Sequence, residues 1–180
     1  MKKVIVTAVL VLTCFLLQSS VFPWFASGGI KPNLLIILTA SFGLMLGEKT
    51  GILTGFACGI LIDLFSANGG GTGSGDLLGF YALIYMFAGY FNGKCNRIFY
   101  PEDIKLPLAM ITVTDLAVNF VCYVVMFLMR AKLDIAFYIL HIILPEAVYT
   151  LIIAAVFYPL LLLISKKLFS KAERGSADIN

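Results

Sequence analysis

Charge is what this chain of 180 residues has least of: only 13% of its side chains are Asp, Glu, Lys or Arg, against about a quarter in an average soluble domain. Hydrophobic residues make up 61% and the mean hydropathy is +0.99. A water-soluble fold could not hide that much apolar surface, so the surplus faces lipid. The length leaves room for one membrane domain and little else. Cysteine is also sparse. Cys14, Cys58, Cys95 and Cys122 include no pair at metal-ligand spacing, and three of them lie inside apolar runs. They are expected to be small packing residues rather than zinc ligands or a disulfide framework. The glycine-rich stretch from Asn68 to Gly75 is not followed by Gly-Lys-Ser/Thr, so it is no phosphate cradle. Ser74 and the lone His141 invite comparison with an intramembrane serine protease, whose nucleophile and base must meet. Thr72, however, stands where the first glycine of a Gly-x-Ser-Gly pattern belongs. No catalytic residue, cofactor, metal or nucleic-acid partner is expected.

What is present is a series of six apolar runs, which predicts an all-α membrane protein built as a six-helix transmembrane bundle. The first, Val4 to Phe22, follows Lys2 and Lys3. Gln18-Ser19-Ser20-Val21-Phe22-Pro23 is a poor cleavage site, so this run is expected to stay as a signal anchor, with Trp24 and Phe25 at the interface. The second (Asn33–Leu46) and third (Gly51–Phe65) are short against a hydrocarbon core of about 30 Å. They are expected either to thin the membrane or to form a hairpin that stops short of the far side. The fourth, Leu77 to Phe91, has Ser74 or Asp76 ahead of it as a candidate cap. The fifth, Leu106 to Met129, carries Pro107 in its first turn, where proline is tolerated. The sixth, Ile135 to Ser165, contains Pro145 and Pro159 and is expected to be tilted and kinked. Residues 1–170 form the single polytopic membrane domain in this reading. Residues 171–180 form a polar cytoplasmic tail expected to be disordered.

Lysine and arginine set the orientation. With six spans and the N-terminus inside, Lys2, Lys3, Lys49, Lys94, Arg97, Lys105, Lys166, Lys167, Lys171 and Arg174 are cytoplasmic, and only Lys31, Arg130 and Lys132 are outside. That distribution obeys the positive-inside rule. Both termini are basic, so an even number of crossings is favoured.

Two sets of residues stand out as candidate sites. Gly43, Gly47, Gly51, Gly55 and Gly59 recur every four residues, and Asp63 falls at the next step. Small residues at this spacing let another helix approach closely. They pack the bundle internally or form a docking face for a partner's helix. The docking reading predicts that Gly55→Leu weakens partner recovery while the protein still inserts. The second set is ionisable or polar: Asp63, Asp115, Asn119, His141 and Glu146. A charge at mid-membrane costs about 2.5–3.5 kcal/mol on insertion scales. Asp115 and Asn119 are one helical turn apart and share a face. Glu146 follows Pro145, which frees the carbonyl of His141. These residues make a structural polar cluster, an interaction surface, or a proton or small-molecule site.

The segment from Gly28 to Phe91 carries a family resemblance. It reads Lys31-Pro32-Asn33-Leu34-Leu35-Ile36, Gly43-Leu44-Met45-Leu46-Gly47-Glu48, Gly51-Ile52-Leu53-Thr54-Gly55-Phe56, Gly59-Ile60-Leu61-Ile62-Asp63-Leu64-Phe65-Ser66 and Leu78-Gly79-Phe80-Tyr81-Ala82-Leu83. This resembles the rod shape-determining protein MreD family, with Asn33 where an aspartate is common. Gln18-Ser19-Ser20 and the overall length also fit. Asp63 is the ionisable position that matches by motif. The resemblance implies a non-catalytic scaffold of the bacterial cell-elongation machinery, placed in the cytoplasmic membrane with both termini inside. It would help maintain cell shape by linking MreC, the actin-like MreB, and the peptidoglycan synthase RodA with its transpeptidase partner. Besides these and membrane lipid no partner is implied. A rival expectation is the substrate-binding membrane subunit of a vitamin-type uptake transporter. There, intramembrane polar residues would converge on a ligand cavity.

Overall fold

A computed structural model describes residues 2–21, 32–67, 79–98, 104–130 and 143–177. Among these residues all regular structure is helical. Helix α1 (Lys2–Leu16) runs into a π-helical turn (Leu17–Val21). It is followed by α2 (Leu34–Leu46), α3 (Glu48–Ala67), α4 (Phe80–Lys94) with a 3-10 turn (Cys95–Ile98), α5 (Lys105–Arg130) and α6 (Leu144–Ala177). Each expected apolar run thus has its helix.

Helix α5 over Lys105–Val125 and α6 over Leu144–Ser165 are long and apolar enough to cross a membrane; Ile5–Ser20 and Leu34–Leu46 are apolar but shorter. Helix α3 is longer than its apolar run. It takes in Glu48, Lys49 and Thr50 and reaches 20 residues, about 30 Å at the α-helical rise. Helix α6 continues to Ala177, so residues 171–177 of the expected disordered tail are helical. Lys, Ala, Glu and Arg in that stretch are good helix formers. Pro145 sits in the first turn of described α6 and Pro159 in its interior. Ser74, Asp76 and His141 lie outside the described residues.

The centre of the molecule is α2. Every residue from Leu34 to Leu44 is buried. A helix that is apolar all round buries itself completely, and α2 packs against α1, α3, α4, α5 and α6. Its run therefore faces protein along its length. Complete burial means that its terminal backbone groups cannot turn to water and need partners. At the N-terminus, the Asn33 side chain accepts from Ile36 N (3.4 Å) and Gln18 Oε1 accepts from Leu35 N (3.1 Å). At the other end, Asn96 Nδ2 donates to the Leu44 carbonyl. The turn to α3 is one residue long. Gly47 has φ +87° and ψ −177°, a region open to glycine alone, and its N–H closes on Gly43 O at 2.9 Å.

The outer helices carry apolar residues on both sides. Inward, Val11, Cys14, Cys58, Tyr85, Ile111, Ala154 and Tyr158 join α2 in the core. Outward, Ile5, Val9, Leu12 and Leu16 of α1, Phe87 and Phe91 of α4, Val113 and Phe120 of α5, and Val156 and Leu163 of α6 are exposed. Exposed apolar stripes on helices around an apolar core are what a lipid solvent requires.

Candidate functional site

The glycine stripe meets α4 of the same chain. The two helices run antiparallel, with Gly51 against Gly89, Gly55 against Tyr85 and Gly59 against Ala82. The approach leaves no room for side chains. A Cβ on Gly55 would lie 2.7 Å from the Tyr85 carbonyl carbon, and one on Gly59 2.6 Å from Ala82 N. A Cβ on Gly43 would lie 2.9 Å from Gly89 O. Helix α4 answers with small residues of its own. A Cβ on Gly89 would sit 2.5 Å from the Gly51 carbonyl carbon, and one on Gly93 2.7 Å from Glu48 N. The Gly89-x-x-x-Gly93 spacing could have announced this partner in the sequence. Gly47 is different: a Cβ there would have nothing within 4 Å, so its role is the turn. Of the two readings of this face, packing within the bundle or docking of a partner's helix, the contacts match the first: it is filled by α4. A partner's helix could use it only after displacing α4.

Asp63 ends the same stripe and is 7% exposed. Its carboxylate reaches across to the start of α4. Oδ2 accepts from Gly79 N (3.1 Å) and Ala82 N (3.0 Å), and Oδ1 accepts from Tyr81 N (3.2 Å). Gly79, at the cap position, has φ +95° and supplies no side-chain hydrogen bond. The acid that caps α4 thus comes from α3, where a carboxylate meets both the free N–H groups and the positive end of the helix dipole.

The remaining polar residues converge from four helices. On α5, Asp115 and Asn119 are one turn apart; on α6, so are Glu146 and Thr150. The helices pack together, with Asp115 facing Thr150 and Asn119 facing Glu146, the register of an antiparallel pair. From α2, Asn33 N donates to Thr150 Oγ1 at 3.4 Å. From α4, Tyr85 Oη donates to Asn33 Oδ1 at 2.9 Å. The cluster is incompletely satisfied. Asp115 is 0% exposed, and neither of its oxygens, nor Asn119 Nδ2, completes a hydrogen bond of good geometry. The Thr150 and Glu146 approaches are electrostatic contacts of looser geometry. Asp115 and Asn119 were recognisable from their spacing, but Asn33, Tyr85 and Thr150 carry no sequence signal of their membership.

A buried acid without firm partners is a poor structural element, because its desolvation is not repaid by hydrogen bonds. Asp115→Asn, which keeps the shape and removes the charge, is accordingly expected to leave the thermal midpoint of the detergent-solubilised protein unchanged or higher. A loss of more than about 2 kcal/mol, the scale of a good buried hydrogen bond to a charged group, would instead make Asp115 a structural partner.

The family model for rod shape-determining protein MreD matches residues 1–168, nearly the whole chain. No curated protein and no solved structure matches. The match takes in the segment whose residues carried the resemblance, the α3–α4 seam with Asp63, and the polar cluster. With an all-helical fold around a buried α2 and two helices fit to cross a bilayer, it places the chain in the MreD family of rod shape-determining membrane proteins.

Proposed function

We propose that this protein is a non-catalytic scaffold of the cell-elongation machinery. It spans the cytoplasmic membrane six times with both termini inside and links MreC, MreB and the peptidoglycan synthase RodA with its transpeptidase. The observation that carries the reading is the family match over residues 1–168. The ten-to-three division of basic residues between the two sides supports the topology. Residues 1–170 act as one membrane domain, and the basic end of α6 beyond it lies in the cytoplasm. With the glycine stripe closed by α4, partner docking falls to the outward faces of α1, α3, α4, α5 and α6.

A mild-detergent pull-down of the tagged protein from its own cells, read by mass spectrometry, tests this. MreC together with the synthase pair is the expected enrichment. Recovery of an ATPase pair and a coupling membrane subunit would overturn the scaffold reading in favour of a transporter's substrate-binding subunit. The observation favouring that second reading is the convergence of Asn33, Tyr85, Asp115, Asn119, Glu146 and Thr150 from four helices.

A further inference from the structure

A groove of about 480 Å³ lies between α4 and α5. Leu83, Phe87 and Phe91 wall one side; Val113, Ala117 and Val121 wall the other. Most of these side chains are half exposed, from 43% at Val121 to 61% at Phe91 and Val113, so the groove opens on the outer surface. The donors of its two polar wall residues are spent within the protein. Asn92 Nδ2 donates to Thr114 Oγ1 at 2.8 Å, and Thr114 Oγ1 donates to Met110 O at 2.7 Å. Asn92 Oδ1 is unpartnered but inaccessible, out of reach of anything in the groove. Water has no use for such walls, since an ordered water needs two to four polar partners.

The dimensions select an occupant. From Leu83 to Cys95 the groove follows α4 and the start of the turn after it, 12 residue steps or about 18 Å at the helical rise. That is close to the depth of one leaflet, about 15 Å of hydrocarbon. A methylene chain carries no side groups and packs against such walls at carbon–carbon distances of about 3.5–4.0 Å. A helix 10–12 Å across has a section of about 80–110 Å², and could lay only a ridge of side chains along such a slot. Cys95 and Met110 mark the end of the groove beside the α4 C-terminus and the α5 N-terminus. There Lys94 and Lys105 are exposed, and Lys94 Nζ lies 4.9 Å from the Tyr90 ring centroid, so the two cations at this end of the groove suit a phosphate headgroup.

We propose that this groove binds one acyl chain of a phospholipid, drawn from the leaflet at the Lys94–Lys105 end. The leaflet is the cytoplasmic one under the topology proposed above; the occupancy itself does not rest on that topology or on the scaffold role.

The full chain is reconstituted into nanodiscs of phosphatidylethanolamine and phosphatidylglycerol, released into mild detergent, and weighed by native mass spectrometry. One phospholipid retained per chain is expected. Ala117→Phe puts an aromatic ring into the open slot and is expected to lower the retained fraction roughly tenfold, at the overpacking limit of a single slot. Ala109→Phe, exposed on α5 outside the groove, is expected to retain the lipid. Equal thermal midpoints for the two variants confirm that both are folded. A bare wild-type chain, undiminished retention in Ala117→Phe, equal loss in both variants, or a polyisoprenoid or peptide mass in place of the phospholipid would each overturn the proposal.

Discussion

Gly55→Leu is expected to remove the folded protein altogether, leaving its partners' recovery unmeasurable. A Cβ at this position already lies 2.7 Å from the Tyr85 carbonyl carbon, and leucine adds three more carbons in the same direction. Overpacking a core with flexible side chains costs about 1–3 kcal/mol. Here the atoms in the way belong to the α4 backbone, which cannot rotate aside, so the cost exceeds that range. It becomes comparable with the roughly 5–15 kcal/mol that holds a whole domain together. Gly59→Leu is expected to behave alike, since it meets Ala82 N at 2.6 Å. Gly47→Ala has open space and only an unfavourable backbone, a strain of about 1–3 kcal/mol. It should therefore insert and purify. Size-exclusion profiles and thermal midpoints in detergent separate these cases. A Gly55→Leu protein with the wild-type midpoint but no bound partners would return the stripe to a docking role.

The second large effect is at Asp63. Asp63→Ala strips three backbone N–H groups, those of Gly79, Tyr81 and Ala82, of their acceptor. Hydrogen bonds to a charged group are worth about 1.5–3 kcal/mol each in net terms, and they are not additive at one carboxylate. A total near 3–5 kcal/mol is expected, well above the loss of an ordinary N-cap, about 1 kcal/mol. Asp63→Asn keeps one acceptor and turns an amide donor toward the others, so an intermediate loss of about 2 kcal/mol is expected. Amide hydrogen exchange locates the damage: protection at Gly79, Tyr81 and Ala82 should fall first in both variants. Unchanged protection there would mean that the start of α4 is capped by Ser74 or Asp76 after all.

Hydropathy made the six helices legible because each apolar run ends at charged, glycine or proline residues such as Gly47-Glu48-Lys49 and Lys94 to Lys105. It could not distinguish what each run faces. A sequence such as Leu34–Leu46, apolar but for Thr39 and Ser41, looks the same against lipid as against protein, so the central burial of α2 had to come from the packing. The four-residue period of the glycines gave the face but not its partner, which depends on the antiparallel register that sets Gly51 on Gly89. Asp63 was legible as the next member of that face. Its capping role was not, because the N–H groups it serves lie 16 to 19 residues away. The i, i+4 spacing of Asp115 and Asn119 was visible along α5. Their pairing with Glu146 and Thr150 requires a second helix in the opposite direction, which no local pattern encodes.

The burial of α2 also has a consequence in time. Its walls include Tyr85 and Ala88 of α4, Ile111 of α5, and Ala154, Tyr158 and Leu161 of α6, so the last wall is encoded far downstream of the helix it covers. Between the synthesis of Leu44 and that of Leu161 the ribosome must add 117 residues. At about 5–20 residues per second that takes roughly 6–23 s. For that interval the nascent chain holds a helix destined for the protein interior with one side still bare, and only the emergence of α6 ends its contact with lipid or with the insertion machinery.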